Sequence, residues 1–567
     1  MKKNFKNSMA LTMALLMVAA TTACGDGGTT GGGTTGGDSS KTQLTVYSYD
    51  GGVGNEWLSH LIDRFEEKYA NYEFEPGSGK KGVEIVETTE KEGQDLSAIS
   101  NMQDVLFSEY IDVTALCGSG STLEITDIIN TPLNEYLVDE NGTPVTSDTQ
   151  SIADKLYDET KDYFGSFGGG SKYFGLPHYS HFSSVIYNRA LFENKKLYFA
   201  QTPDEDADEN NLAGYFISSA NPTRSCGPDG VEGNDDDGLP ATWDEFFILC
   251  DYMCESSIIP FIWSSNSSGY TKYLLNATYL NLAGKQDASY NYTFNSGEDT
   301  INTVTFTGNT PVIKQETVSA AQYGALNRQL EKYQALEVYD RIIDTVDYQH
   351  TDCKNGADML RAQEDYIFSY NEGKPVAFLL EGSYWYNEAE EGGFFDDVRS
   401  QYDTYDSMND YRVMPLPRVY EGSASDVLGK DIGKTVIGDG ADSLACINAN
   451  IKNDANKVKL AKMFLAFCYT QESLEEFTEY TNTTRFLKYD MDTSKLTNEY
   501  ARNLWNFVEA SDIVLPYSSH SNFTNAVDQW SLHIQSKFWS YDEDGPYFKL
   551  KGSTNTAIDF FKSYSSR

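Results

Sequence analysis

Basic residues are scarce in this chain. Lys and Arg number 43 against 85 Asp and Glu, a formal net charge of −42 over 567 residues. So acidic a surface repels nucleic acid and anionic lipid, which excludes functions built on a basic footprint, and it favours solubility or cationic partners. Histidine is scarcer still, with six in all, and neither H-E-x-x-H nor G-x-S-x-G occurs. Cysteine is present without a framework. Setting Cys24 aside leaves Cys117, Cys226, Cys250, Cys254, Cys353, Cys446 and Cys468, an odd set with no disulfide-scaffold spacing. Most read as small buried apolar residues. Cys250 and Cys254 share a helix face but lack the C-x-x-C or nearby His of a zinc site. Beyond the first two dozen residues no apolar run approaches the length of a membrane span.

The beginning of the chain is a different matter. Lys2, Lys3 and Lys6 precede an apolar stretch from Met9 to Ala20, broken only by Thr12, and then Thr21, Thr22 and Ala23. That order marks residues 1–23 as a secretory signal, and its apolar part is shorter than the ~20 residues of a spanning helix. Residues 25–40 are Gly, Thr, Ser and Asp only, so they cannot bury apolar surface and read as a flexible tether. The position of Cys24 resembles a bacterial lipoprotein lipobox, which implies lipidation of Cys24; Thr21 departs from the Leu usual there. The expected location is the extracytoplasmic face of the cell membrane, lipid-anchored. Without the leader the charge is about −45, and over five hundred residues remain, enough for two or more domains.

Residues 44–49 alternate as a strand, Asp50 to Gly54 form a turn, and Trp57, Leu58, Leu61, Ile62, Phe65 and Tyr69 recur at helical spacing. Val83 to Val86 and Asp104 to Phe107 are further strands, giving a βα unit of a parallel sheet. Residues 171–192 form an extended apolar crossing, and 201–239 a polar insertion. A helix begins near Trp243, IIPFIWSS is a short buried strand, and 285–318 has little periodicity. Tyr323 through Tyr339 predict one long amphipathic helix, 376–380 and 443–449 strands, and 454–468 a helix. The alternation predicts an α/β protein.

Several stretches resemble the family 1 extracellular solute-binding proteins of ABC transporters, the maltose-binding-protein-like sugar-binding lipoproteins. They are LTVYSYDGG, DVLFSEY, YFGLPHYSHFSSVIYNRALF, LPATWDEFFILCDYM, IIPFIWSS, GKPVAFLLEGSYWYNE and SLACINANIKNDANKVKLAKMFLAFCYTQESLEEF, in family order over most of 44–490. The resemblance implies a two-lobe periplasmic-binding-protein-like type II fold with hinge crossovers and a central cleft. Lobe I would be 41–182 plus 443–490, and lobe II 183–442 plus 491–567. It also implies a monomer that captures a carbohydrate, most simply an oligosaccharide, and delivers it to ABC permease subunits without chemistry. A secreted carbohydrate-active enzyme and a sensor subunit for a membrane kinase are the alternatives. With 85 acids a carboxylate pair can always be found.

A sugar offers apolar C–H faces and a rim of hydroxyls, so aromatics beside polar residues at strand ends are the candidate contacts. Tyr49 and Asp50 close the first strand, and Glu109 and Tyr110 follow the third. His178 and His181 lie in the crossing, and Trp263 leaves a buried strand into a Ser/Asn run. Tyr384 and Trp385 open a helix where the family places a cleft aromatic, while Asp442 begins the second crossing and Arg485 lies in a loop facing it by analogy. No cofactor is required. GKDIGKT is one residue short of a phosphate loop, with Leu428 where Gly belongs, and GGGTTG in the tether has no strand before it. Asp229, Asn234, Asp235, Asp236 and Asp237 offer hard oxygens for a structural calcium, though not at EF-hand spacing.

Overall fold

The computed structural model describes residues 38–49, 51–90, 103–108, 120–165, 172–266, 269–319, 323–438, 443–515, 538 and 543–565. The leader, Cys24 and nearly all of the tether lie outside them, as do Asp50, Glu109, Tyr110, Cys117 and Asp442. Ser40–Arg567 is one compact unit. Among the described residues no helix is long and apolar enough to cross a membrane.

Two mixed sheets organise this unit. The first takes β1 (Thr42–Tyr49), β2 (Val83–Glu90), β3 (Val105–Ser108), β4 (Leu176–Pro177) and β12 (Leu444–Ile447) in the order β2-β1-β3-β12-β4. β1 is parallel to both its neighbours, while β12 runs antiparallel to β3 and β4. The helix Glu56–Lys68 buries Trp57, Leu58, Leu61, Ile62 and Phe65, the face its periodicity predicts. Each such side chain contributes about 1.5–3 kcal/mol by leaving water.

The second sheet takes β5 (Ser183–Asn188), β6 (Ile259–Ile262), β9 (Val376–Gly382) and β10 (Tyr411–Val413) in the order β10-β5-β9-β6. Its side chains alternate between two cores: Leu379 and Ile186 face one, Phe378, Leu380, Val185 and Tyr187 the other. A hairpin pairs β7 (Thr300–Thr307) with β8 (Thr310–Thr317), and β11 (Val436–Gly438) pairs with β13 (Asp512–Val514). Every strand of the first sheet lies in 41–182 or 443–490. Every strand of the second, and of the β11–β13 pair, lies in 183–442 or 491–567. The chain therefore passes between the sheets after Pro177, and returns to the first one before Leu444.

Two stretches differ from expectation. Residues 285–318 hold the end of the helix Gly269–Thr293 and the β7–β8 hairpin; Thr303 is buried in β7 while Val312 and Ile313 are exposed in β8, so apolar residues do not mark the buried face. The single helix expected over 323–339 is a 3-10 turn, Tyr323–Arg328, followed by a helix, Leu330–Asp344. The break is Gln329, which is fully buried. Its Oε1 accepts from Tyr279 Oη at 2.8 Å and Asn291 Nδ2 at 2.9 Å, and its Nε2 donates to Asp287 O at 3.0 Å. The core captures that amide, which a continuous helix would carry away from it. Of the six described cysteines five are buried, Cys254 is half-buried, and none is in a disulfide.

Candidate functional site

The two sheets meet where β1 and β9 end. After Tyr49 the backbone turns at once: Gly51 N–H donates to Tyr49 O at 3.0 Å and Gly54 N–H to Gly51 O at 2.9 Å. Gly54 holds φ +59°, a left-handed conformation that a β-carbon disfavours. Opposite, β9 runs out through Glu381 and Gly382 into the helix Trp385–Glu391. Ser383 is tied to the first crossing, its N–H donating to Phe182 O at 3.1 Å and its Oγ accepting from Phe182 N–H at 3.3 Å.

Those bonds set Tyr384 between two glycines. A β-carbon on Gly52 would lie 2.5 Å from Tyr384 Cδ2, and one on Gly382 would lie 2.6 Å from Cε1. Asn387 Nδ2 spans the same junction, donating to Gly52 O at 3.2 Å. Asn482 Nδ2 donates to Glu390 Oε2 at 3.0 Å, a second tie from the first lobe to this helix. Around Tyr384 stand His181, with ring centroids 5.1 Å apart, and Tyr273, whose hydroxyl lies 3.4 Å from that of Tyr384. Tyr270 packs edge-on to Tyr273 at 5.4 Å, one helical turn away. Burial first, then the Tyr273 phenol and Glu381, hold the Tyr384 hydroxyl protonated, its pKa well above the ordinary phenol value. Tyr384 itself is 6 % exposed, so the ring faces and hydroxyls within reach of a ligand at the lobe junction are those of Tyr270, Tyr273 and His181, all half-buried around it.

Of the sequence candidates, Tyr384 and His181 come together here, and Tyr49 stands half-buried at the start of the same turn. Four others belong elsewhere. Trp385 is fully buried, packed edge-on against Tyr411 at 5.4 Å and Tyr500 at 5.7 Å; it is core, not a stacking platform. Trp263 is likewise fully buried, with Lys551 Nζ 5.4 Å over its ring, because the C-terminal segment covers the end of β6. His178 is wedged between Trp57 at 5.1 Å and Phe107 at 4.9 Å. Arg485, 2 % exposed, lies among the rings of Phe477 at 4.2 Å, Trp57 at 4.9 Å and Tyr469 at 5.2 Å. Arg485 Nη1 donates to His178 Nδ1 at 3.2 Å, which fixes the imidazole proton on Nε2. Both are parts of the first lobe's core, since the aromatic cage stabilises the cation by its ring faces. Tyr270, Tyr273, Gly52 and Asn387 were not singled out in the sequence. Two tyrosines at i, i+3 after the Ser/Asn run following Trp263 were the available signal.

In the 229–237 loop the acids do not all converge. Asp229 accepts from Val231 N–H at 2.7 Å and Asn234 Nδ2 at 2.7 Å, and Asp237 Oδ2 accepts from Gly233 N–H at 2.8 Å. Asp235 turns outward to Arg412 at 3.9 Å and takes no part. Asp236 is half-buried, its carboxyl pushed up to about 7 by desolvation and then by Asp229.

No family model and no curated protein sequence matches this chain. Among solved structures 541 chains match, so the architecture is a widely used one. A chitin oligosaccharide binding protein superposes with a TM-score of 0.52 over 93 % of this chain and 98 % of its own, at 14 % identity. The two share a two-lobed α/β fold. The Gly52–Tyr384 contact is one of several between the lobes, beside Asn482–Glu390.

Proposed function

We propose that this chain is an extracytoplasmic solute-binding protein that holds a carbohydrate, most simply an oligosaccharide, between its lobes and hands it to an ABC importer. The observation that carries this reading is the group of half-buried rings, Tyr270, Tyr273 and His181, gathered at the lobe junction around Tyr384, which Gly52 and Gly382 hold in place. A sugar face stacked on one such ring removes tens of Å² of apolar surface from water, worth on the order of 1 kcal/mol at ~25 cal/mol per Å². Support comes from the family 1 motifs, the export signal and a shared fold with a protein that binds chitin oligosaccharide. The proposed partners are the permease subunits and, through a lipid on Cys24, the membrane, with the protein acting as a monomer.

Binding without chemistry is part of this reading, supported by the shared fold with a binding protein. Glu381 is 1 % exposed and its carboxylate accepts from Gly382 N–H at 3.0 Å and Gln363 Nε2 at 3.4 Å, a position sealed from a ligand. A structural calcium in the 229–237 loop is proposed on Asp236 Oδ1 and Asp237 Oδ1, both buried with no hydrogen-bond partner. The deciding experiment is a thermal-shift screen against chito-, malto- and xylo-oligosaccharides, followed by mass analysis of the bound sugar after long incubation. One class should raise the melting temperature and be recovered intact. Cleaved product would make the chain an enzyme, and a peptide or polyamine as sole hit would refute the sugar.

A further inference from the structure

A second cluster of ligand-type side chains lies in the second lobe, away from Tyr384. The segment after the helix Leu330–Asp344 runs beside β6: Gln349 bridges Phe261, and His350 N–H donates to Phe261 O at 2.8 Å. His350 then caps the 3-10 turn Thr351–Cys353, its Nδ1 accepting from Asp352 N–H at 3.3 Å. Asp365 comes from the helix Met359–Ser369. One ligand atom each of His350, Asp352 and Asp365 lies within 4.8 Å of the others, the one such convergence of three among the described residues.

Asp352 marks this as more than a group of acids. It is 4 % exposed, and its Oδ2 is buried without a hydrogen-bond partner, 3.7 Å from His350 Nδ1. Asp365 stands against it, its carboxyl pushed up to about 6 by burial and then by the contact with Asp352, a pair of acids that a cation between them would relieve. The positive charge nearby is Arg361, whose Nε stands 3.7 Å from Asp352 and 3.6 Å from Asp365, beyond hydrogen-bonding distance, on a side chain 64 % exposed.

We propose that His350, Asp352 and Asp365 bind a divalent transition-metal ion of the zinc class, pinning the helix Met359–Ser369 to the turn Thr351–Cys353. An imidazole with two carboxylates suits zinc or manganese, whereas calcium and magnesium prefer all-oxygen shells. Tetrahedral zinc places its ligand atoms roughly 3.3 Å apart, so Asp352 Oδ2 and His350 Nδ1 need to close by only a few tenths of an ångström, with Nδ1 giving the ion the lone pair that now accepts from Asp352 N–H. Rotation of Asp365 supplies the third ligand, water the fourth, and Arg361 swings into solvent. The ion would also stiffen the ground under the tyrosines. Ser265 Oγ accepts from Gly356 and Ala357 N–H at 2.8 and 3.1 Å, and Tyr270 Oη donates to Met359 Sδ at 2.8 Å.

The test titrates zinc into the untagged, chelator-stripped mature chain against a chromophoric competitor, with melts in parallel. One ion should bind and raise the melting temperature. His350→Gln and Asp365→Asn, checked for folding by circular dichroism, should each weaken it at least tenfold, while Asp237→Asn leaves it unchanged. Arg361→Gln, which removes the rival cation without touching a ligand, should tighten it. An ion insensitive to the His350 and Asp365 variants, one lost in Asp237→Asn, or a cobalt spectrum showing thiolate ligation overturns the assignment. So does failure of the wild type to bind zinc, or failure of Arg361→Gln to tighten it.

Discussion

Gly52 of the first lobe lies against the ring of Tyr384 in the second, so close that a β-carbon would stand 2.5 Å from Cδ2. Closure of the lobes in this form depends on that missing carbon. Gly52→Val should hold the lobes apart, increase the radius of gyration of the ligand-free protein in X-ray scattering, and weaken sugar binding at least tenfold, or about 1.4 kcal/mol. Unchanged scattering and affinity would remove this contact from closure.

Tyr384 and Trp385 are neighbours in sequence with opposite expected phenotypes. Tyr384→Ala and Tyr273→Ala should each lower sugar affinity by roughly tenfold. Trp385→Ala and Trp263→Ala should instead destabilise the fold by about 3–5 kcal/mol, because each empties a large volume inside a core. Urea denaturation beside calorimetric titration separates the two effects. A Trp385→Ala protein of native stability and poor affinity would return that indole to the binding site.

His178 predicts a pH dependence. Burial, then the Arg485 charge, holds its pKa well below the ordinary 6.5. As pH falls through the unfolded value the unfolded chain takes up a proton that the native state refuses, so stability drops by up to ~1.4 kcal/mol per pH unit. Asp236 and Glu331, both pushed up to about 7 by burial, act in the opposite sense. The check is therefore the difference between wild type and His178→Gln, measured by urea melts from pH 7.5 to 5. That difference should move in the variant's favour on acidification, and a constant offset would refute it.

Calcium in the 229–237 loop predicts chelator sensitivity. Stripping with a calcium-selective chelator should lower the melting temperature, and calcium should restore it. Asp237→Ala should abolish the response, whereas Asp235→Ala, whose carboxylate turns to Arg412, should retain it. A wild type indifferent to the chelator would leave an ordinary acidic loop.

The anchor rests on Cys24. Cys24→Ala should move the protein from the membrane fraction to the medium, since the lipid is its only proposed hold. A variant that stays with membranes in high salt would end the lipoprotein reading.

Much of the fold was legible along the chain. The helix Glu56–Lys68 and the strands near 44 and 83 follow from periodicity, because each buries a face that local sequence writes, and the strands near 105, 376 and 444 from short apolar runs buried on both faces. The β7–β8 hairpin was not legible, since Thr303 is buried and Val312 and Ile313 are exposed, the reverse of what an apolar pattern would mark. Nor was the break at Gln329, which depends on Tyr279 and Asn291, partners distant in the chain.

The site divides the same way. By itself the sequence determined that aromatic residues leave β9 beside a glycine, and that a glycine-rich turn follows β1. It did not say which ring faces the junction. Successive side chains at a helix start point about 100° apart, so of Tyr384 and Trp385 only one can meet Gly52. Tertiary packing decided it: Tyr411 and Tyr500 enclose the indole, and the phenol is left between the lobes. His178 and Arg485 follow the same rule, since only the rings of Trp57, Phe107 and Phe477, brought from separate segments, make a closed core around them.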